Sequence, residues 1–196
     1  MSSPRVDARL AASLAASRLL IATGGAAGVD ELARAAGISR RTWFRYFPAK
    51  EDCIRPMIRE ATTTTLRIMG ERLDSEQVCD AFLAAFASVA GGLFTERTRG
   101  LLPVVFASSA LSAVLEHEAV YSSEMLRDLL VRRSAPETDG HLIAALATAL
   151  PALANAALRD SVVDGVPPLD LLTPRVRALR TAHLPLSTTT AERRRP

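Results

Sequence analysis

The stretch from Leu32 to Lys50, LARAAGISRRTWFRYFPAK, decides the fold prediction, because it reads as two short helices joined by a tight turn. Gly37 stands where such a turn needs a positive φ, which glycine adopts without steric cost. Ile38 supplies an apolar side chain beneath the turn, and Ser39 has the side chain of an N-cap for the second helix. The stretch therefore predicts a helix-turn-helix.

The second of these helices has two chemically different faces. Trp43 and Phe47 lie on the inner side, and the outer side carries Arg40, Arg41, Thr42 and Arg45. In a helix-turn-helix the second helix enters the major groove, where arginine contacts guanine and threonine meets a base or a phosphate. The alternative is a surface helix with solvated arginines. The small Ala33 allows the second helix to approach closely, and it agrees with the turn glycine, the apolar Ile38, the cap Ser39 and the arginine face. The sequence therefore favours DNA binding.

Composition and the distribution of reactive residues exclude several other classes. Of the 196 residues, 48% are apolar and 23% charged, which favours a packed core over disorder. The net charge of +3 permits a nucleic-acid partner without requiring one. Two cysteines and three histidines show no disulfide or metal spacing, and no phosphate-binding glycine loop or nucleophile elbow occurs. We predict no catalytic residue, no cofactor and no metal, and therefore no enzyme.

Apolar residues recur at helical spacing along nearly the whole chain, which predicts an all-α protein of about nine helices. We predict a three-helix DNA-binding head at residues 1–48, a larger helical effector-binding and dimerisation body at 49–183, and a disordered tail at 184–196. The uncharged run from Leu101 to Leu115 is shorter than the ~20 residues that span a bilayer. Arg18 interrupts the apolar N-terminal stretch, so no signal peptide is expected and the protein is predicted to be cytoplasmic.

Residues 29–52 resemble the DNA-binding head of the TetR family of bacterial transcriptional regulators. The matching residues are Val29, Leu32, Ala33, Ala36, Gly37, Ile38, Ser39, Thr42, Trp43, Phe44, Tyr46, Phe47, Lys50 and Glu51. In outline the resemblance extends over residues 5–182, although the body carries no diagnostic motif.

The resemblance implies a set of residues that face DNA: Arg40, Arg41, Thr42, Phe44, Arg45, Tyr46 and Lys50. Phe44 stands where the family often has a tyrosine that touches the backbone, so only apolar contact is expected there. Tyr46 and Lys50 are expected to bind phosphates. Gly28 replaces the threonine that usually caps the second helix, which implies one lost backbone contact and weaker DNA affinity.

The body of TetR-like proteins pairs with a second copy through its last two long helices. The helix predicted over residues 138–163 is apolar on nearly all sides, which favours either such a pairing or burial in the core of a monomer. The predicted interface stripe consists of Leu142, Leu146, Leu150, Leu153 and Ala157.

Family members commonly bind a small-molecule effector inside the body. The candidate lining residues, each of which is alternatively ordinary core, are Met57, Met69, Phe82, Phe86, Phe106, His117, Tyr121 and Met125. The polar groups considered for the pocket are few, namely His117, Tyr121 and the Thr62–Thr65 run, which predicts an apolar effector. Pro56, two turns into the predicted fourth helix, is expected to kink it and act as a hinge.

The resemblance thus implies a homodimeric repressor that binds a palindromic operator in double-stranded DNA and is released by a small apolar effector. Two alternatives stay open. The first is the same DNA-binding fold without a small-molecule effector, controlled by a partner or acting as an activator. The second is a helical protein that does not bind DNA.

Overall fold

A computed structural model of the chain describes residues 4–73, 76–90, 100–135 and 137–181. These residues form nine α-helices and no strand, which confirms the all-α prediction. The helices are α1 (Pro4–Ala22), α2 (Val29–Ala35), α3 (Arg40–Tyr46), α4 (Arg55–Arg72), α5 (Val78–Ala90), α6 (Leu101–Ala107), α7 (Ser109–Arg133), α8 (Gly140–Asp164) and α9 (Pro168–Thr181). A single 3₁₀ turn, Glu51–Ile54, precedes α4. The predicted tail at 184–196 lies outside the described residues.

The three helices of the head, of which α2 and α3 have only seven residues each, surround a small core that continues into the body. Leu20, Leu32, Trp43 and Phe47 are fully buried, and they belong to one apolar cluster with residues of α4, α6 and α7. Short helices bury little surface by themselves, so the head depends on these neighbours for its stability.

The body has a second apolar cluster built from α4, α5, α7, α8 and α9. Helices α4 and α7 lie side by side and run in the same direction. Their contacts succeed one another in order along both chains: Arg59 with Glu118, Thr62 with Ser122, and Gly70 with Arg133.

The prediction that Pro56 kinks α4 is wrong. The chain forms the 3₁₀ turn first and α4 begins only at Arg55, so that Pro56 lies in the first turn of the helix. Backbone N–H groups in a first turn have no intrahelical partner, and proline therefore costs nothing there.

The predicted stripe on α8 is corrected at two of its five positions. Leu150 and Ala157 are fully buried in the body core of a single chain. Leu146 and Leu153 are half-buried against the same core, and of the five only Leu142, 54% exposed, faces outward. Because α8 is apolar on nearly all sides, its periodicity did not indicate which side faces inward. The outward face carries mainly alanine, including Ala145, Ala152 and Ala156.

Among the described helices, α8 alone has by itself the length and apolarity that a membrane span requires. Core helices of globular proteins have the same composition. Helix α8 packs between α7 and α9, with Ile143, Leu150 and Ala154 buried.

Candidate DNA-binding site

The turn between α2 and α3 has the geometry that its residues predict. The amide of Ala36 donates to the carbonyl of Leu32 at 2.9 Å, and the amide of Ile38 donates to that of Ala33 at 3.0 Å. Between them Gly37 adopts φ +66°, a left-handed conformation that confirms the role expected for glycine. This hydrogen-bonded turn determines the angle at which α3 leaves α2.

Ser39 caps α3 and also orients Thr42. Its Oγ accepts a hydrogen bond from the Thr42 amide at 3.1 Å and donates to Thr42 Oγ1 at 3.0 Å. Since Ser39 uses its only hydroxyl hydrogen in this way, the hydroxyl hydrogen of Thr42 is available to a base or phosphate acceptor.

The inner side of α3 is held by two aromatic rings that pack against each other. Trp43 and Phe47 are fully buried, with ring centroids 4.8 Å apart in an edge-to-face arrangement. The guanidinium of Arg9 on α1 lies 5.8 Å from the Phe47 ring. Two large rings in one closely packed core leave α3 little freedom to rotate, so its outer residues keep a fixed orientation.

The outer side of α3 presents three arginines in different environments. Arg40 donates to both carboxylate oxygens of Asp30 on α2 at 3.0 Å, a contact that sequence reasoning missed. Arg45 is exposed and lies 5.5 Å from the Tyr46 ring. Arg41 is exposed and forms no ion pair with the described residues. Arg41 and Arg45 are therefore the arginines most available to a ligand.

The remaining predicted contacts lie at the edges of this surface. Phe44 is 44% exposed and packs under the Arg40 guanidinium at 5.7 Å. Tyr46 is half-buried against Phe47. Lys50, which follows α3, donates from Nζ to the Gly25 carbonyl at 3.0 Å and so ties the end of the head to the loop after α1.

Gly28 precedes α2 in the extended conformation of an N-cap, but it has no side chain to cap with. Its own amide donates to Glu31 Oε2 at 2.8 Å. The structure thus shows only half of a capping box here.

The comparisons with known proteins agree with this geometry. Residues 14–57, from the middle of α1 to the first turn of α4, match the model of the bacterial regulatory proteins of the tetR family. Residues 14–57 form a DNA-binding domain of the TetR family. The chain is a DNA-binding transcriptional regulator with a helix-turn-helix head.

The fold of the whole chain resembles that of a fatty acid degradation regulator, FadR from Bacillus halodurans, with a TM-score of 0.50. The match covers 91% of this chain and 96% of that chain at 17% identity, so it bears on the fold alone. No curated protein shows significant sequence similarity to the chain.

The body of this regulator contains a cavity of about 780 Å³ between α4, α5, α6, α7 and α8. Three of the predicted pocket residues, Met57, Phe82 and Phe86, line it. The other five lie outside its described lining: Met69, Phe106, His117, Tyr121 and Met125. These five residues lie in other environments. The periodicity of their helices did not show which side of each helix faces the cavity, so the prediction included them. Met69 is fully buried in the second core, and His117 is exposed.

Two of the remaining predicted pocket residues interact with arginines instead. The guanidinium of Arg59 lies 4.5 Å from the Tyr121 ring, and that of Arg159 lies 5.5 Å from the Phe106 ring. Both rings therefore cover arginines and do not reach the cavity lining.

An ion-pair cluster joins the cavity to the start of the body, and sequence reasoning missed it. Glu118 of α7, only 1% exposed, lines the cavity and accepts hydrogen bonds from Arg55 and Arg59 of α4. Arg55 also donates to Asp52 at 2.8 Å. The contacts between Glu118 and the two arginines cross 63 and 59 positions, so no local pattern indicates them.

The cluster shifts the pKa of two of its members, Arg55 and Asp52, in the direction that favours their charged forms. Burial by itself lowers the pKa of Arg55, but the hydrogen bonds to Asp52 and Glu118 outweigh it and raise the pKa. Burial raises the pKa of Asp52, whereas hydrogen bonds from Arg55 and from the Ala49 amide give a net lowering. Asp52 thus stays ionised and, through its 3.0 Å bond to Ala49, holds the segment between α3 and α4.

Proposed function

We propose that the protein is a homodimeric repressor whose two heads bind the half-sites of a palindromic operator. The observation that carries the proposal is the outer face of α3, where Arg41 and Arg45 are exposed on a helix held by buried Trp43 and Phe47. A rigid helix that presents unobstructed guanidinium groups fits the major groove and the acceptor atoms of guanine.

Each predicted DNA contact has a role within this proposal. Arg41 and Arg45 read bases, and Thr42 donates its free hydroxyl hydrogen to a base or phosphate. Arg40 contacts the backbone while Asp30 orients it. Phe44 meets a thymine methyl group, and Tyr46 and Lys50 bind phosphates beside the groove.

The second copy is proposed to pack on the outward alanine face of α8, beginning at Leu142. Alanine side chains allow two helices to approach closely, and a two-fold dimer presents two heads to two half-sites. Residues 1–48 form the DNA-binding domain in this arrangement, and residues 49–183 form the dimerisation and effector domain. The protein acts in the cytoplasm, where bacterial DNA is accessible.

A small apolar effector in the body cavity is proposed to release the operator. A cavity of about 780 Å³ is of the size that binds small molecules, and its wall includes Ile54 and Met57 directly after the head. An occupant that displaces Glu118 disturbs Arg55 and, through Asp52, the segment that positions α3.

DNA recognition is tested by fluorescence anisotropy with the DNA upstream of the protein's own gene, unrelated DNA of equal length, and two salt concentrations. We expect preferential binding to the upstream DNA that weakens with salt. Arg45→Ala lowers the specific affinity by ~1–3 kcal/mol, and the matched control Arg67→Ala, on the exposed side of α4, leaves it unchanged. Equal effects of both substitutions would contradict base reading by α3.

The oligomeric state is tested by analytical ultracentrifugation of the free protein and of its operator complex. We expect a dimer in both. A single monomer bound per operator would contradict the dimeric arrangement while leaving DNA recognition intact.

A further inference from the structure

The end of the cavity nearest the head is lined by a carboxylate that has room for one more hydrogen bond. Glu118 Oε1 accepts from Arg55 and from Arg59 Nη2, whereas Oε2 accepts only from Arg59 Nε, at 2.7 Å, among the described residues. A carboxylate oxygen accepts two hydrogen bonds, so Oε2 is able to accept a second one from a molecule in the cavity.

The hydroxyl pair next to Glu118 also presents an acceptor. Ser122 Oγ donates its only hydrogen to the Glu118 carbonyl at 2.8 Å. In the 3.0 Å contact between Thr62 and Ser122, Thr62 must therefore be the donor. Thr62 Oγ1 keeps its lone pairs, and both polar groups at this end of the cavity require a hydrogen-bond donor from the ligand.

The charges around the cavity disfavour an ionised ligand. Glu118 is the only ionisable residue in the described lining, and within its cluster two arginines already balance the carboxylates of Glu118 and Asp52. A ligand carboxylate would meet Glu118 without a facing cation, and a ligand ammonium would add an uncompensated positive charge.

The rest of the cavity is long and largely apolar. Its lining on α4 extends from Met57 to Leu66 and on α7 from Leu115 to Leu126, which corresponds to roughly 13–17 Å along the helix axes. Phe82 and Phe86 line it on α5.

We propose that the effector is an uncharged, elongated apolar compound whose hydroxyl group donates to Glu118 Oε2 or Thr62 Oγ1. This inference rests on the proposed function of the cavity as the effector site. The amide of Asn155, which lines the cavity from α8 and has no hydrogen bond to the described residues, provides a partner for a further polar group of the same ligand.

The test is isothermal titration calorimetry of the full chain with probes that share one alkyl chain: decanol, decanoate and decylamine, with octanol as the shorter alcohol. We expect decanol to bind at least about tenfold more tightly than either charged probe, and more tightly than octanol. Equal or tighter binding of decanoate or of decylamine would overturn the proposal, and so would the absence of binding by both alcohols.

Thr62→Val separates hydrogen bonding from simple burial, because valine keeps the shape of threonine and loses the acceptor. We expect decanol affinity to fall about fivefold in this variant and to stay unchanged in the control Thr63→Val, one position along on the exposed side of α4. Thermal unfolding of both variants verifies that the fold is retained. Decanol has no second polar group, so its affinity is expected to stay unchanged in Asn155→Leu as well. Unchanged decanol affinity in Thr62→Val would overturn the assigned polar contact of this end of the cavity.

Addition of operator DNA to the same preparation tests the effector assignment separately from DNA binding itself. Release of a formed operator complex by decanol supports the proposal. A complex that forms and persists while decanol is bound overturns the assignment of the effector. Failure of any operator complex to form contradicts the proposed function itself.

Discussion

The head and the body of this protein are built from the same kind of element but are determined by different information. In the head, a glycine, a cap and two aromatic residues within one short stretch determine where α3 lies. In the body, contacts between residues far apart in sequence determine which face of each long apolar helix is buried. Substitutions in the head should therefore act through local geometry, and those in the body through partners on other helices.

The largest expected effect is that of Trp43→Ala in the head. Trp43 is fully buried against Phe47, so truncation leaves a cavity and costs about 3–5 kcal/mol of unfolding free energy. The matched control is Phe44→Ala on the same helix, where the side chain is 44% exposed and a loss of about 0.5 kcal/mol is expected. Urea denaturation measures both. Similar losses for the two variants would show that α3 is not anchored by its inner face.

A second comparison applies the same logic to two neighbouring glutamates of α7. Glu118 is 1% exposed and accepts hydrogen bonds from Arg55 and Arg59, so Glu118→Gln is expected to lower the free energy of unfolding by about 2 kcal/mol. The loss is not larger because both arginines also reach solvent, which screens their charges. Glu116 pairs with Arg159 at the surface, and Glu116→Gln is expected to cost less than about 0.5 kcal/mol. Urea denaturation of the Glu118→Gln and Glu116→Gln variants measures both losses. Equal unfolding midpoints for the two variants would contradict a stabilising role for the buried cluster.

The sequence predicted much of the head because its signals act within a few residues. Ser39 and Thr42 are three positions apart, and the positive φ of Gly37 follows from the tight turn alone. The all-α class of the body was equally predictable from its periodicity. The ion pair between Arg40 and Asp30 was not, because it depends on the angle between α2 and α3.

The local sequence pattern did not predict which faces of the body helices are buried. Leu150 and Ala157 looked equivalent to Leu142 on an apolar helix, yet only packing against α7 and α9 decides which are buried. Pro56 was misplaced because a four-residue 3₁₀ turn precedes α4, which begins only at Arg55. The site residues on α3 and around the cavity stay predictions that the proposed experiments test.

A third substitution measures how much the turn of the head depends on backbone conformation. In Gly37→Ala the added methyl group meets nothing within 4 Å, so the cost arises from the left-handed φ and is expected to be about 1–2 kcal/mol. In the body, Gly140→Ala is the control, since it too has open space but no positive φ. Alanine there is expected to be neutral or to stabilise by a few tenths of a kcal/mol. Thermal unfolding that shows equal losses would contradict a conformational role for Gly37.

The smallest expected effect is a gain, at Gly28. Its backbone, with φ −81° and ψ 167°, already has the N-cap conformation, and an added Cβ lies 3.7 Å from Glu31 Oε2, an ordinary contact. Gly28→Ser should therefore complete the capping box and stabilise the head by a few tenths of a kcal/mol. The new hydroxyl also lies at the start of α2, where the resemblance implies a phosphate contact, so DNA affinity should rise by a similar factor for specific and unrelated DNA. Gly28→Ala is the matched control, because it fills the same space without the hydroxyl. If alanine strengthens DNA binding as much as serine does, the gain comes from the backbone, and Gly28 has not cost the head a phosphate contact.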